Sequence, residues 1–401
     1  MELVERYLTL GLRLGRQVDG LVDAYYGPPE LAEAVELEEI RPADQLALDA
    51  DELLAELPRA GLVDARAGWL GDQLRGIRTY AGVLSGEEIS YLDEVEGCYG
   101  VRPERVPEDA FLDTHARLDE LLPAGGSLHE RYEAWRAANA VPAERIVETM
   151  TAILALLRER TQELVPLPAD EEFALELVTG EPWAAFNYYL GGHRSRIVVN
   201  TDLPFSGAEV VHLAAHEGYP GHHTEHAAKE ALLLEERGHL EESLQLVPTP
   251  QALISEGIAE LGGEILIDEE LDAELARILR AVGVAYDPVE AAAIRAAREP
   301  LGYVSRNAAL AIHEDGLSVE GAQAYVERWA LAPPKRAAQT IAFVTDPTWR
   351  AYIVTYTEGL RRARAYADGD LGRFRRLLTE QVRVGDLRGA ADGDAAVSSG
   401  S

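Results

Sequence analysis

Residues His212–His226 read HLAAHEGYPGHHTEH and hold five of the chain's ten histidines. A histidine beside a carboxylate, with more histidines within two turns, is the material of a metal site with a base next to it. In the H-E-x-x-H pattern, two histidines at i and i+4 share one helix face and bind Zn²⁺. The glutamate after the first is the general base. Here the string is His216-Glu217-Gly218-Tyr219-Pro220-Gly221-His222-His223, with no histidine four positions after His216. His212 stands four before it but is followed by Leu213, not by a glutamate.

The backbone decides which histidine can serve. On an undisturbed helix, His222 points roughly 240° away from His216. Pro220 cannot donate to the His216 carbonyl, and its ring clashes there. Gly221 permits unusual backbone angles. The helix is therefore expected to bulge or break at 219–221, and Pro220-Gly221, taken as an insertion into H-E-x-x-H, brings His222 to the ligand position. His223 is the alternative: it stays nearly in phase with His216 but lies roughly 10 Å along an ideal helix. For the third ligand we take Glu256 of Ser255-Glu256-Gly257, with Glu260 on the same face one turn later. In so acidic a chain, a solvated carboxylate is the competing reading of either residue.

The bulk composition excludes several classes. The chain has 401 residues, 47% hydrophobic, enough for a large core. A net charge of −33 argues against nucleic acid and anionic membrane surfaces as partners. Most of that acidity reads as surface solvation. Cys98 is the single cysteine, so an internal disulfide or a cysteine-based metal ribbon is excluded. MELVERYLTLGLRLGR mixes charge into an amphipathic pattern unlike a signal peptide. No apolar run is long enough to span a membrane. The expectation is a cytoplasmic protein. Neither a Gly-x-Ser-x-Gly elbow nor a Gly-rich phosphate loop is present.

Helical spacing dominates the elements that must position the histidines. Residues 1–26, 65–84, 108–122, 127–139 and 142–164 carry apolar residues three and four apart. Residues 172–179, 183–190 and 196–200 instead read as a small sheet, with turns at Gly180 and Gly191-Gly192. Ser206 and Glu209 form a capping box that starts the histidine helix. Helices are expected again over 227–245, 250–279, 288–297, 300–313, 318–331, 335–344, 347–368 and 369–384. The expected organisation is a helical part, 1–168, a metal-binding part, 169–390, and a disordered tail, 391–401.

The sequence resembles the DUF885 family of bacterial proteins, placed among zinc metallopeptidases. The matching strings are His216–His223 as H-E-x-x-P-G-H-H, Glu256-Gly257-x-Ala259 and Asn187-Tyr188-Tyr189. Asn200–Pro204, Arg306 with His313, and Tyr356-x-x-Gly359 add to them. The resemblance covers roughly residues 170–385. It implies a mainly α, two-lobed gluzincin-like fold akin to thimet oligopeptidase and the M32 carboxypeptidases, with the small sheet beside the active-site helix. It also implies Zn²⁺ on His216, His222 and Glu256, Glu217 as catalytic base, and Tyr356 and His313 across a cleft. Ile258 and Leu261 stand where the family has Trp and Tyr.

The expected function is a zinc metallopeptidase-like hydrolase of carboxypeptidase or dipeptidase character. Glu217 activates water, while Tyr356 and His313 are candidate donors to the oxyanion. Tyr189 and Arg350 are candidate substrate-binding residues. A core aromatic beside Trp349 and Tyr352 is the competing reading of Tyr356, and a hydrogen-bonded structural histidine that of His313. The alternatives in function are a zinc amidohydrolase on a non-peptide metabolite and a non-catalytic metal-binding protein. The expected partner is a peptide or small amide substrate; the sequence does not specify an oligomeric state.

Overall fold

A computed structural model of the chain describes residues 2–181, 183–202 and 204–387. The expected tail, 391–401, lies outside the described residues. The architecture is mainly α, with two small sheets. One sheet pairs β1 (Val22–Tyr25) with β5 (Leu244–Leu246), antiparallel. The other has three strands, β2 (Glu172–Val178), β3 (Ala185–Gly191) and β4 (Arg194–Asn200), in the order β2-β4-β3.

The three-stranded sheet follows the expected segments. β3 and β4 form a hairpin whose turn, Gly191-Gly192-His193, lies entirely at positive φ, which is why two glycines stand there. β4 runs between its two neighbours and buries Ile197, Val198 and Val199. The pair β1–β5 was not expected. Its first strand interrupts what reads as one amphipathic segment: the first helix runs only from Leu3 to Gly15. The stretch read as one helix over 227–245 contains a π-turn at Glu230–Glu235 and a short 3₁₀ turn before β5.

Two apolar cores carry the fold. The larger joins the N-terminal helices to Leu253–Leu261 and to the C-terminal helices, through residues such as Tyr7, Trp69, Tyr99, Ile258 and Phe374. The smaller packs Ile146–Leu157 against Ile197, Val210, Ala214 and Leu271–Leu279. Both draw on residues from either side of position 168. The histidine motif emerges from the smaller core, and Glu256 sits on a helix of the larger.

One crossing fixes how these elements meet. Helix Pro250–Leu266 and helix Ile353–Ala367 touch backbone to backbone at Gly257 and Gly359. A Cβ at Gly359 would lie 2.5 Å from the Leu253 carbonyl oxygen, and one at Gly257 would lie 2.5 Å from the Gly359 oxygen. Backbone cannot yield as a side chain can. Gly359→Ala is therefore expected to destabilise the protein by about 1–3 kcal/mol, although glycine-to-alanine changes inside open helices stabilise. Denaturant unfolding of the variant against wild type checks the sign.

Candidate metal centre

The capping box expected at the motif's start is present: Ser206 N–H donates to Glu209 Oε2 at 2.8 Å, and Glu209 N–H donates to Ser206 Oγ at 3.3 Å. The helix Gly207–Glu217 then stops, and a second helix, His222–Lys229, begins. Between them Gly218 and Gly221 take non-helical angles, and the Tyr219-Pro220 bond is cis. The expected disturbance is thus a full break. A Cβ at Gly221 would lie 1.9 Å from the His216 carbonyl oxygen, so only glycine fits there.

This break turns His222 toward His216, their rings 4.8 Å apart and nearly perpendicular. Glu256 faces both: His216 Nε2 lies 3.5 Å from its Oε2, and His222 Nε2 lies 3.8 Å from its Oε1. The three residues form a group able to hold a metal ion. His212, His216 and Glu260 form a second such group.

The donor atoms fit a cation. The Ser255 hydroxyl donates to Glu225 Oε2 at 2.6 Å and lies 3.0 Å from His222 Nδ1. With its hydrogen committed to Glu225, Ser255 accepts from His222 Nδ1–H. The other nitrogen, Nε2, then faces Glu256 with a bare lone pair. Glu256 Oε2 is buried and has no hydrogen-bond partner, as has His216 Nδ1. Polar atoms of Glu256 and both imidazoles thus face one another without a hydrogen bond between them, a costly arrangement. Their spacing is close to the about 3.4 Å between ligands at tetrahedral bonds near 2.1 Å.

Burial shapes the protonation states. It pushes the His222 imidazole down to about 4, and that of His216 well below its ordinary value. Both are neutral near pH 7, the form that ligates. Glu225 is held below its ordinary value: burial opposes its charge, but Lys229, 2.7 Å away, overrides that cost. Glu217 is 5% exposed and pushed up to about 8, first by burial and then by Asp23 and Glu260. Its backbone carbonyl accepts from Asn187 Nδ2 at 2.6 Å, which ties β3 to the end of the first helix.

The structure separates the expected site residues. It brings together His216, His222, Glu256 and Glu217, with Tyr356 beside them: Glu256, Glu260 and Glu217 all raise the Tyr356 hydroxyl after burial does. His223, kept as the alternative ligand, is turned away and fully buried, its ring nitrogens 2.7 Å from Ser195 Oγ and 2.8 Å from Glu171 Oε2. His313 stacks on Tyr91 and contacts the Val344 carbonyl at 2.7 Å, a structural setting away from the cluster. Arg350 is bound to Glu94. Tyr189 is buried, its hydroxyl committed to Glu230. Ile258 and Leu261 are fully buried core residues.

The sequence reading missed Tyr352, whose hydroxyl donates to Glu256 Oε1 at 2.6 Å. It also missed the chain Ser255–Glu225–Lys229. Glu225 was visible three residues after His222, and Lys229 is one of two lysines in the chain; a charge pair at i, i+4 on the motif helix was the available signal.

No family model matches the sequence, and no curated protein matches it. The fold is similar to two solved structures. One is titled "The crystal structure of the putative lipoprotein from Colwellia psychrerythraea", at TM-score 0.53 and 15% identity, over 90% of this chain and 68% of that one. The other, a "putative lipoprotein of unknown function from Shewanella oneidensis", has TM-score 0.49 and 14% identity, over 94% and 76%. The likeness to the first supports the mainly helical fold. The description of that protein as a putative lipoprotein runs against the cytoplasmic location expected above, which is withdrawn. Among the described residues no helix is long and apolar enough to cross a membrane.

Two outcomes follow from this geometry. Ser255→Ala removes the acceptor for His222 Nδ1–H, and metal affinity should fall about 10- to 100-fold with the fold intact; competition against a chelator measures it. A carboxyl raised on folding favours the fold below its ordinary value and loses that contribution as pH rises through the folded one. Glu217 spans 4.5 to about 8, and Asp23 and Glu256 are raised as well. Above pH 7 the buried histidines are neutral folded or unfolded, so the metal-free protein should melt at lower temperature at pH 8.5 than at pH 7, and Glu217→Gln should flatten part of that slope in thermal denaturation.

Proposed function

We propose that the protein is a zinc-dependent hydrolase of amide bonds, a peptidase of the gluzincin kind that the DUF885 resemblance implies. One observation carries this reading. Two imidazoles and a carboxyl group converge on one point with no hydrogen bond between them, and a buried carboxyl that makes no hydrogen bond among the described residues, Glu217, stands next in sequence to the first ligand. A scaffold needs no such base.

His216, His222 and Glu256 would hold the ion. Bound there, zinc would supply a Lewis acid and lower the pKa of a coordinated water toward roughly 7. Glu217 takes the proton from the attacking water and passes it to the leaving amine. A zinc ion beside it would draw down the pKa that burial raises and leave Glu217 ionised to act as the base. The Tyr356 hydroxyl, held protonated by burial and its carboxylate neighbours, is the donor for the carbonyl oxygen as charge builds there. Tyr352 holds Glu256 by its Oε1, leaving Oε2 for the ion. His223, locked between Ser195 and Glu171, supports the second helix from behind.

Metal analysis of purified variants tests the reading. His216→Ala, His222→Ala and Glu256→Ala should lose zinc, while His223→Ala should keep it and lose stability. Glu217→Gln should keep zinc and lose amide hydrolysis by about 10²–10⁴-fold. Zinc retained in all three ligand variants would overturn the site. Full hydrolysis by Glu217→Gln would overturn the assignment of the base.

A further inference from the structure

His216 has two ring nitrogens, and the centre described above uses one of them. Its Nε2 faces Glu256. Its Nδ1 is buried, has no hydrogen-bond partner and lies 3.7 Å from Glu260 Oε1. Glu260 Oε2 in turn lies 4.0 Å from His212 Nε2. His212 and His216 stand one turn apart on the first motif helix, their rings 5.5 Å apart. Each of His212, His216 and Glu260 offers a ligand atom within 4.8 Å of the others. Two imidazoles and a carboxylate thus meet a second time. The two groups share the His216 ring but no ligand atom.

The gaps in this second group are too long for hydrogen bonds. They lie slightly beyond the about 3.4 Å between ligands at tetrahedral bonds near 2.1 Å. Among the described residues Glu260 pairs with these two histidines and with no arginine or lysine. Its neighbour one turn on, Glu264, is already held by Arg364 at 2.8 Å. A set of imidazoles with one carboxylate suits Zn²⁺, Co²⁺ or Ni²⁺.

Exposure orders the two groups. It falls from 45% at the His212 side chain to 10% at His216 along one helix. Along the other it falls from 24% at Glu260 to 6% at Glu256. The second group is therefore the outer one, and the His216 ring stands between the two with a nitrogen toward each. A neutral imidazole has one bare nitrogen and one N–H, so the groups must fill in alternation.

We infer that His212, Glu260 and His216 Nδ1 form an outer divalent-cation site, where an ion lodges on its way to the inner centre. While the ion is there, the ring proton is on Nε2, facing Glu256. When the ion passes to Nε2, that proton is lost to solvent and another is taken up at Nδ1, opposite Glu260. The ring stays neutral, and no net proton is released. The inference rests on the metal centre and not on the reaction assigned to it.

The test follows Co²⁺, whose absorption spectrum reports its ligands, on the full chain freed of metal by a chelator. His222→Ala breaks the inner set and leaves the outer one whole. It should still bind one Co²⁺, about 100-fold more weakly than wild type, and adding His212→Ala should remove that binding. In stopped-flow mixing, His212→Ala alone should slow Co²⁺ uptake about tenfold and leave the final affinity unchanged. Equal uptake rates for wild type and His212→Ala would overturn the inference. So would a His222→Ala variant that binds Co²⁺ no better than the double variant. Faster release and weaker final affinity in His212→Ala would make His212 a support of the inner centre, and the inference would fail. Wild type that takes up no Co²⁺ would overturn the inner centre, and this inference with it. The uptake comparison decides even if His222→Ala fails to fold, because the His212 side chain is exposed.

Discussion

The contact between the Gly221 backbone and the His216 carbonyl is the constraint on which the centre depends. The first motif helix must end for His222 to swing round, and it ends by folding the chain back onto its own last turn. No side chain fits at 221, where a Cβ would stand 1.9 Å from a carbonyl oxygen. The same break reaches the third ligand's helix, because Pro220 packs so closely on Gly262 that a Cβ there would come within 2.8 Å of the ring. Two helices joined by a folded-back turn thus do with a six-residue spacing what one helix does with four. Consecutive residues then take opposite roles: His222 faces the open group of ligands, and His223 the sealed interior.

The two faces of the second motif helix differ in how they settle buried polarity. Behind it, Glu171 and Glu225 are both paired. Glu171 takes Tyr219 Oη at 2.5 Å, His223 and Arg158; Glu225 takes Ser255 and Lys229. In front, Glu256 Oε2 and His216 Nδ1 stay unpaired. An unsatisfied buried polar group costs about 1–3 kcal/mol, so a fold able to pair the rear so fully would pair the front as well, unless something else binds there. The paired rear also has a use, since it fixes the tautomer of His222 that leaves Nε2 bare. Rigid support on one side and open valence on the other is what a metal site requires.

Much of this was legible in the sequence. The three-stranded sheet, the capping box at Ser206 and the break at 219–221 follow from alternation, cap chemistry and the geometry of proline, all of which act locally. His216, His222 and Glu256 converge as the spacing argument expected, because Pro220 and Gly221 leave the chain few ways through. What failed was nonlocal. β1 and β5 are short strands more than two hundred residues apart, each too brief to show a period against helical neighbours. Arg350, His313 and Tyr189 suit binding by residue type, and their contacts with Glu94, Val344 and Glu230 come from elements distant in sequence. Sequence shows what a side chain can donate or accept; only the fold shows whether that capacity is already used.

The same distinction separates the chain's overall acidity from the acidity of its centre. A net charge of −33 suggests by itself a preference for cations everywhere, yet many of the outer carboxylates already lie against arginines, as Glu38 does with Arg13 and Asp49 with Arg41. Such exposed pairs are worth little to stability and leave little local field to steer a ligand. The carboxyls around Glu217 are fewer, but they sit in a medium that screens them poorly and have no arginine or lysine among them. Burial raises the pKa values of Glu217 and Glu256, which a cation among them would offset. The attraction of these residues for a cation is therefore a local property of a few buried carboxyls, separate from the charge of the surface.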